Sequence, residues 1–174
     1  TSAAVFNLKT GSKTLTMPDG TAVQMWGFGL QSDAAVSIPG PPLTVPVGDT
    51  TLTINLVNNL SLPVSIVIPA LPAPLTPQWS DGGSGPRSNL QQRVLSFTAT
   101  AAANGGTASY TWNNVAPGTY LYHSGTRPAA QVQMGLYGLV KHDAAASSAY
   151  PGVGYDKEVV LLYSEIDPAA HNAI

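Results

Sequence analysis

An all-β sandwich, mostly antiparallel, with a short helical turn near the C-terminal end, is the fold this sequence predicts. Three observations carry that reading. Residues Thr51-Leu52-Thr53-Ile54-Asn55-Leu56 alternate polar and apolar without a break. Strand-like runs recur about every 10 to 20 residues, punctuated by Gly, Pro and Asn. No long segment shows the 3.6-residue apolar period of an amphipathic helix.

The clearest element is Thr51–Leu56, which follows a Gly48-Asp49 turn and ends at Asn58-Asn59. One of its faces buries Leu52, Ile54 and Leu56, each worth about 1.5–3 kcal/mol. Further strands are expected at Ala3–Leu8, Lys13–Met17, Ala22–Phe28, Pro63–Ile68, Gln92–Thr98, Ala108–Trp112, Gly118–His123, Gly135–His142 and Glu158–Ser164. The inward set is expected to be Leu52, Ile54, Leu56, Ile66, Leu121, Leu139 and Leu161. Asp167 followed by Pro168 is a helix start, with Asp as the cap and Pro at the first helical position. No internal repeat or linker divides the chain, so residues 1–174 read as one domain. A start without Met and a helix cut short are expected of a piece trimmed from a longer chain.

Composition narrows the function. Only 9% of residues are charged, against roughly a quarter in ordinary soluble domains. The net charge is −2 and no basic stripe exists, which argues against nucleic acid, whose binding depends on neutralising phosphates. No apolar stretch approaches the roughly 20 residues of a membrane span. The chain has no cysteine, which removes disulfides, thiolate nucleophiles and the thiolate that a type 1 copper needs. A charge-poor surface rich in Ser, Thr, Ala and Gly points to a periplasmic or secreted location.

The strongest local feature is Pro117-Gly118-Thr119-Tyr120-Leu121-Tyr122-His123-Ser124-Gly125. A tight turn feeds a strand that puts Thr119, Leu121 and His123 on one face and Tyr120 and Tyr122 on the other. His123 therefore stands at a strand end, where it is either a ligand or a backbone-bonded edge residue.

With Tyr110-Thr111-Trp112 before it and Gly135-Leu136-Tyr137-Gly138-Leu139-Val140 after it, this run resembles the first domain of multicopper oxidases. Ile38-Pro39-Gly40-Pro41-Pro42-Leu43-Thr44-Val45, Gly48-Asp49, Asn58-Asn59-Leu60 and Trp79-Ser80-Asp81-Gly82 follow the same family in order. The resemblance implies a cupredoxin-like Greek-key β-sandwich and copper as the cofactor, in the parent protein more than in this chain. It also implies other cupredoxin domains or subunits as partners. In the family this domain supplies two His-x-His pairs to a trinuclear copper centre. Here Val67-Ile68-Pro69 stands where the first pair is expected, and Gly125 replaces the partner of His123. His123 is the one metal-ligand candidate that remains, and Arg127 beside it disfavours a cation.

The remaining candidates read as structural. His142-Asp143 is expected as a surface pair, His171 as part of a frayed tail, and Glu165 and Asp167 as a solvated neighbour and a cap. Met134, Tyr120 and Tyr122 read as packing residues. Gly82-Gly83-Ser84-Gly85-Pro86 is not a nucleophile elbow, Gly11-Ser12-Lys13-Thr14 is not a phosphate loop, and Asn59-Leu60-Ser61 fits a glycosylation sequon. Three readings follow. One is a domain of a copper oxidoreductase, inactive in isolation. Another is a non-catalytic binding or assembly module. A carbohydrate-binding sandwich would need an aromatic row, which Trp26, Trp79 and Trp112 do not space out. The loop from Pro69 to Ser88 is expected to pack near His123 with Trp79 partly buried.

Overall fold

A computed structural model describes residues 2–71, 75–83 and 92–174 of the chain. Part of the loop expected between Pro69 and Ser88, namely residues 72–74 and 84–88, lies outside the described residues.

Two sheets enclose one core. The first has the order β2-β1-β4-β7, built from β1 (Ala3–Thr16), β2 (Ala22–Leu30), β4 (Thr51–Asn58) and β7 (Gly106–Asn113). β1 pairs antiparallel with β2 and parallel with β4, and β4 pairs antiparallel with β7. The second has the order β3-β9-β8, from β3 (Leu43–Val45), β8 (Gly118–His123) and β9 (Tyr137–His142). Here β3 runs parallel to β9, and β8 antiparallel to it. Two short ribbons decorate the sandwich: β5 (Gln78–Trp79) with β6 (Val94–Ser96), and β10 (Ser148–Tyr150) with β11 (Val153–Gly154). A single turn, α1 (Pro128–Gln131), follows β8, and α2 (Pro168–Asn172) lies near the C-terminus.

The alternation in β4 does what its pattern demands. Leu52, Ile54 and Leu56 are buried, while Thr53 bonds Thr111 across the strands at 3.0 Å on the outer face. Tyr110 and Trp112 of β7 cover the same interior, and Phe28 meets Tyr122 across it with ring centroids 5.4 Å apart. Asn58 closes the strand end from inside. Its side-chain oxygen accepts from the Thr10 hydroxyl and the Leu60 N–H, and its amide donates to the Leu62, Ala101 and Ala102 carbonyls. That gives the Asn-x-Leu strand end a physical role: one fully buried amide ties β1, β4 and the segment before β7.

Several expected elements come out differently. Ala3–Leu8 and Lys13–Met17 are parts of one continuous strand. Pro63–Ile68 is not a ladder strand; it makes isolated bridges at Val64 to Ala101 and at Val67 to His123. Leu121 points outward at 47% exposure, because Tyr120 and Tyr122 take the inward phase of β8. Tyr122 wins that phase because two glycines make room for its ring. A Cβ on Gly138 would lie 2.3 Å from the Tyr122 ring, and one on Gly40 2.4 Å from its hydroxyl. The buried hydroxyl donates to the Pro41 carbonyl at 2.9 Å.

Glu158–Ser164 forms no strand, and Leu161 is 71% exposed rather than inward. The segment crosses outside the second sheet. Val160 and Leu162 line a cleft against Pro39, Pro42 and Leu139, while Val159, Leu161 and Tyr163 are largely exposed. The helix start at Asp167 forms as expected: its carboxylate accepts from the Ala169 N–H at 2.9 Å and from that of Ala170 at 3.4 Å.

The β4 faces yield a direct check. Leu56→Asp puts an unpaired charge in the core and is expected to cost about 4 kcal/mol or more. Thr53→Asp, on the outer face, is expected to cost about 1 kcal/mol or less. Chemical denaturation of the two variants measures the difference; equal losses would contradict the register.

Candidate functional site

β8 carries His123 to the end of its ladder with β9. There the backbone turns from β9 to a new neighbour: His123 and Val67 exchange both hydrogen bonds, at 2.9 and 3.0 Å. Residues paired directly in this way present their side chains on one face, so Val67 lies beside the imidazole. Nδ1 of His123 is 2.9 Å from the Ser124 carbonyl. A bond to a carbonyl requires the proton on Nδ1, which leaves the Nε2 lone pair available. The half-buried ring lines an open cleft with Leu121, Tyr137, Leu162 and Glu165.

The neighbouring positions are filled by packing. A Cβ on Gly125 would sit 2.7 Å from Val67 Cγ1 and 3.0 Å from Ser65 Oγ. Glycine is required there because Val67 already occupies the space of a side chain. Beneath it is a closed hydroxyl cluster. Thr126 donates to Ser65 at 2.9 Å, Ser65 and Ser96 are 2.9 Å apart, and Ser96 donates to the Thr98 carbonyl at 2.8 Å. Ser124 donates to Gln131 Oε1 at 2.6 Å, and the Gln131 amide donates to the Pro63 carbonyl at 2.8 Å. All these side chains are buried. The sequence gives no sign of this cluster, since it joins residues from four separate segments.

These residues do not fit a copper centre. The donors gathered around Gly125 are neutral hydroxyls and an amide, whereas copper is held by imidazole or sulfur. Among the described residues no group of three His, Asp or Glu side chains is placed to hold a metal ion. The three histidines are kept apart by the fold. The register pairs His123 with Tyr137 and His142 with Gly118, which puts the two imidazoles at opposite ends of one ladder, about 17 Å apart at the usual strand rise.

The other two histidines correct the sequence reading. His142 is not a surface residue: it is 5% exposed, with Nδ1 3.1 Å from the Val115 carbonyl. His171 is not in a frayed tail. The turn of α2 packs on β2, leaving the ring 3% exposed with Nδ1 2.7 Å from the Asp167 carbonyl. Met134, Tyr120 and Tyr122 pack as expected. Burial pushes the Tyr122 and Tyr110 hydroxyls well above their ordinary value, so both stay protonated.

Asp143, next to His142, belongs to a polar clamp that sequence reasoning missed. The Tyr155 hydroxyl donates to Asp143 at 2.5 Å, and Lys141 contacts Asp143 at 3.0 Å, the Tyr155 hydroxyl at 2.9 Å, and Glu158. The bond from Tyr155, helped by Lys141, holds the Asp143 carboxyl below its ordinary value. The clamp ties the start of the 158–164 segment to β9. The Trp79 ribbon sits on the side of the segment that follows His123: β6 bridges Ser96 to Thr126, and Trp79 is half-buried.

The Gly125 contact is open to test. Gly125→His is expected to cost about 1–3 kcal/mol through overpacking against Val67. Combined with Val67→Ala it is expected to cost less than the two single losses added, because the pair shares one space. Denaturation curves decide it; strict additivity, or a silent Gly125→His, would contradict the geometry.

The family model described as multicopper oxidase matches residues 9–144. Among solved structures, the chain is similar to a multi-copper oxidase from Pseudomonas thermotolerans (TM-score 0.62, 20% identity, 84% of this chain and 31% of that one). It is also similar to a copper nitrite reductase from Nitrosomonas europaea (TM-score 0.57, 20% identity, 82% and 42%). A third is the multicopper oxidase mgLAC (TM-score 0.52, 21% identity, 82% and 39%). No curated protein matches the chain significantly. At these identities the structural likeness speaks for the cupredoxin-like fold alone, and the chain spans less than half the length of each of these structures. On the match over residues 9–144, the chain belongs to the multicopper oxidase family.

Proposed function

We propose that this chain is the N-terminal cupredoxin-like domain of a multicopper-oxidase-type copper oxidoreductase, with a degenerate copper site and no type 1 copper of its own. The observation that carries the reading is the contact at Gly125, where Val67 fills the space that a second imidazole would need. His123 alone, through Nε2, remains able to take a metal ion, and one imidazole holds it weakly. No thiolate exists anywhere in the sequence to build an electron-accepting type 1 site. Copper chemistry, and the entry of electrons from substrate, then belong to the parent protein, which we place in the periplasm or outside the cell. No helix among the described residues is long and apolar enough to cross a membrane.

Residues 1–174 are on this reading a single domain of a longer chain, and its partners are further cupredoxin domains or other subunits. The segment from Glu158 to Ser164 supports such a neighbour. Val159, Leu161 and Tyr163 are 80%, 71% and 87% exposed in one continuous apolar run, a pattern that is expected to be covered. The same run, with the self-satisfied hydroxyl cluster, favours the second reading, a non-catalytic binding or assembly module.

Copper titration by calorimetry tests the proposal. The chain is expected to bind Cu(II) weakly, to lose that binding in His123→Ala, and to show no oxidation of phenols or metal ions with oxygen. Tight stoichiometric binding, or oxidase turnover by the chain alone, would contradict the degenerate site. Oxidase turnover by a longer parent chain would separate the first reading from the second.

A further inference from the structure

The Trp79 ribbon and Arg127 meet at one cleft. It encloses about 250 Å³ between the β5–β6 ribbon and the turn that follows β8. Leu62, Pro63, Leu95 and Trp79 supply apolar walls, and the buried Thr126 and Gln131 supply a polar end. Among the described residues Arg127 is the one charged residue that lines it, and no carboxylate does.

Arg127 is also held in an uncommon backbone state. Its φ of 42° and ψ of 56° are left-handed, a conformation that a side chain larger than Asn seldom adopts. The backbone is pinned from both sides: the Arg127 N–H donates to the Leu95 carbonyl at 3.0 Å, and its own carbonyl accepts from the Ala130 and Gln131 N–H groups. Such strain gathers at ligand clamps, where surrounding structure fixes a side chain in place. Among the described residues the guanidinium has no ion pair.

We propose that this cleft binds a small aryl carboxylate, with the ring against Trp79 and the carboxylate on Arg127. The size suits a ligand smaller than the roughly 300–1,000 Å³ of drug-sized pockets. A flat apolar wall favours a ring, since an indole stacks on it face to offset face. A single guanidinium fork matches a planar carboxylate with two parallel hydrogen bonds. Among the described residues a cation meets only like charge there. The neutral hydroxyl and amide end admits a small polar substituent on the ring.

The test uses the ¹⁵N-labelled chain titrated with benzoate, benzyl alcohol and inorganic phosphate. Benzoate is expected to shift the Trp79 indole N–H and the amides of Leu95, Arg127 and Gln131 along one saturable curve. Arg127→Gln, at an exposed side chain, is expected to weaken benzoate about tenfold and to change benzyl alcohol by less than about twofold. Trp79→Leu is expected to weaken both. Benzoate shifts that do not saturate, phosphate binding at the same residues as tightly as benzoate, or an Arg127→Gln variant that binds benzoate like the parent would each overturn the proposal.

Discussion

The paired backbone of Val67 and His123 is the constraint on which the functional end of this fold depends. Two hydrogen bonds, at 2.9 and 3.0 Å, hold the 63–68 segment against the end of β8 although it joins neither sheet as a ladder strand. Once Val67 is fixed there, its side chain fills the space over residue 125, and only glycine is accommodated. The same docking carries Ser65 inward, where it meets Ser96 and Thr126. The space beside residue 125 is thus closed by aliphatic packing above and satisfied hydroxyls below. That arrangement is coherent as a core, since every buried donor in the cluster has an acceptor.

A second constraint sets the outward face of the other sheet. Tyr122 must enter the core between Gly40 and Gly138, and its hydroxyl must find the Pro41 carbonyl. With Tyr122 inward, Leu121 and His123 face out together, onto the side crossed by the 158–164 segment. The glycines of two family-like motifs, Pro39-Gly40-Pro41 and Gly135-Leu136-Tyr137-Gly138, are therefore explained by one aromatic ring.

The parts of this that were legible in the sequence are the local ones. The alternation of β4, the limits of β8 and the Asp167 cap each depend on a few adjacent residues, and each forms as read. The parts that were not legible depend on contacts between distant segments. Leu121 looks as apolar as its neighbours, and only the vacancies at Gly40 and Gly138 decide that Tyr122 enters instead. His142 and His171 look like surface residues because nothing nearby announces the Val115 carbonyl or the packing of α2 on β2. Leu161 sits in a strong β-forming run, yet no strand pairs with it among the described residues, so its side chain stays in solvent. At the site, the valine at 67 and the glycine at 125 were readable directly. The hydroxyl cluster beneath them was not, because it draws on residues 65, 96, 124, 126 and 131.

On the proposed reading, packing and not metal coordination occupies this end of the sandwich. Electron paramagnetic resonance of the chain with one equivalent of Cu(II) tests it most directly, because nitrogen couplings count the imidazoles on the metal. The expected copper signal is close to that of the free ion, with at most one imidazole nitrogen, and that coupling is lost in His123→Ala. Coupling to two or more imidazole nitrogens at one equivalent would show that the histidines reach a common metal ion, and would contradict the separation that the β8–β9 register imposes.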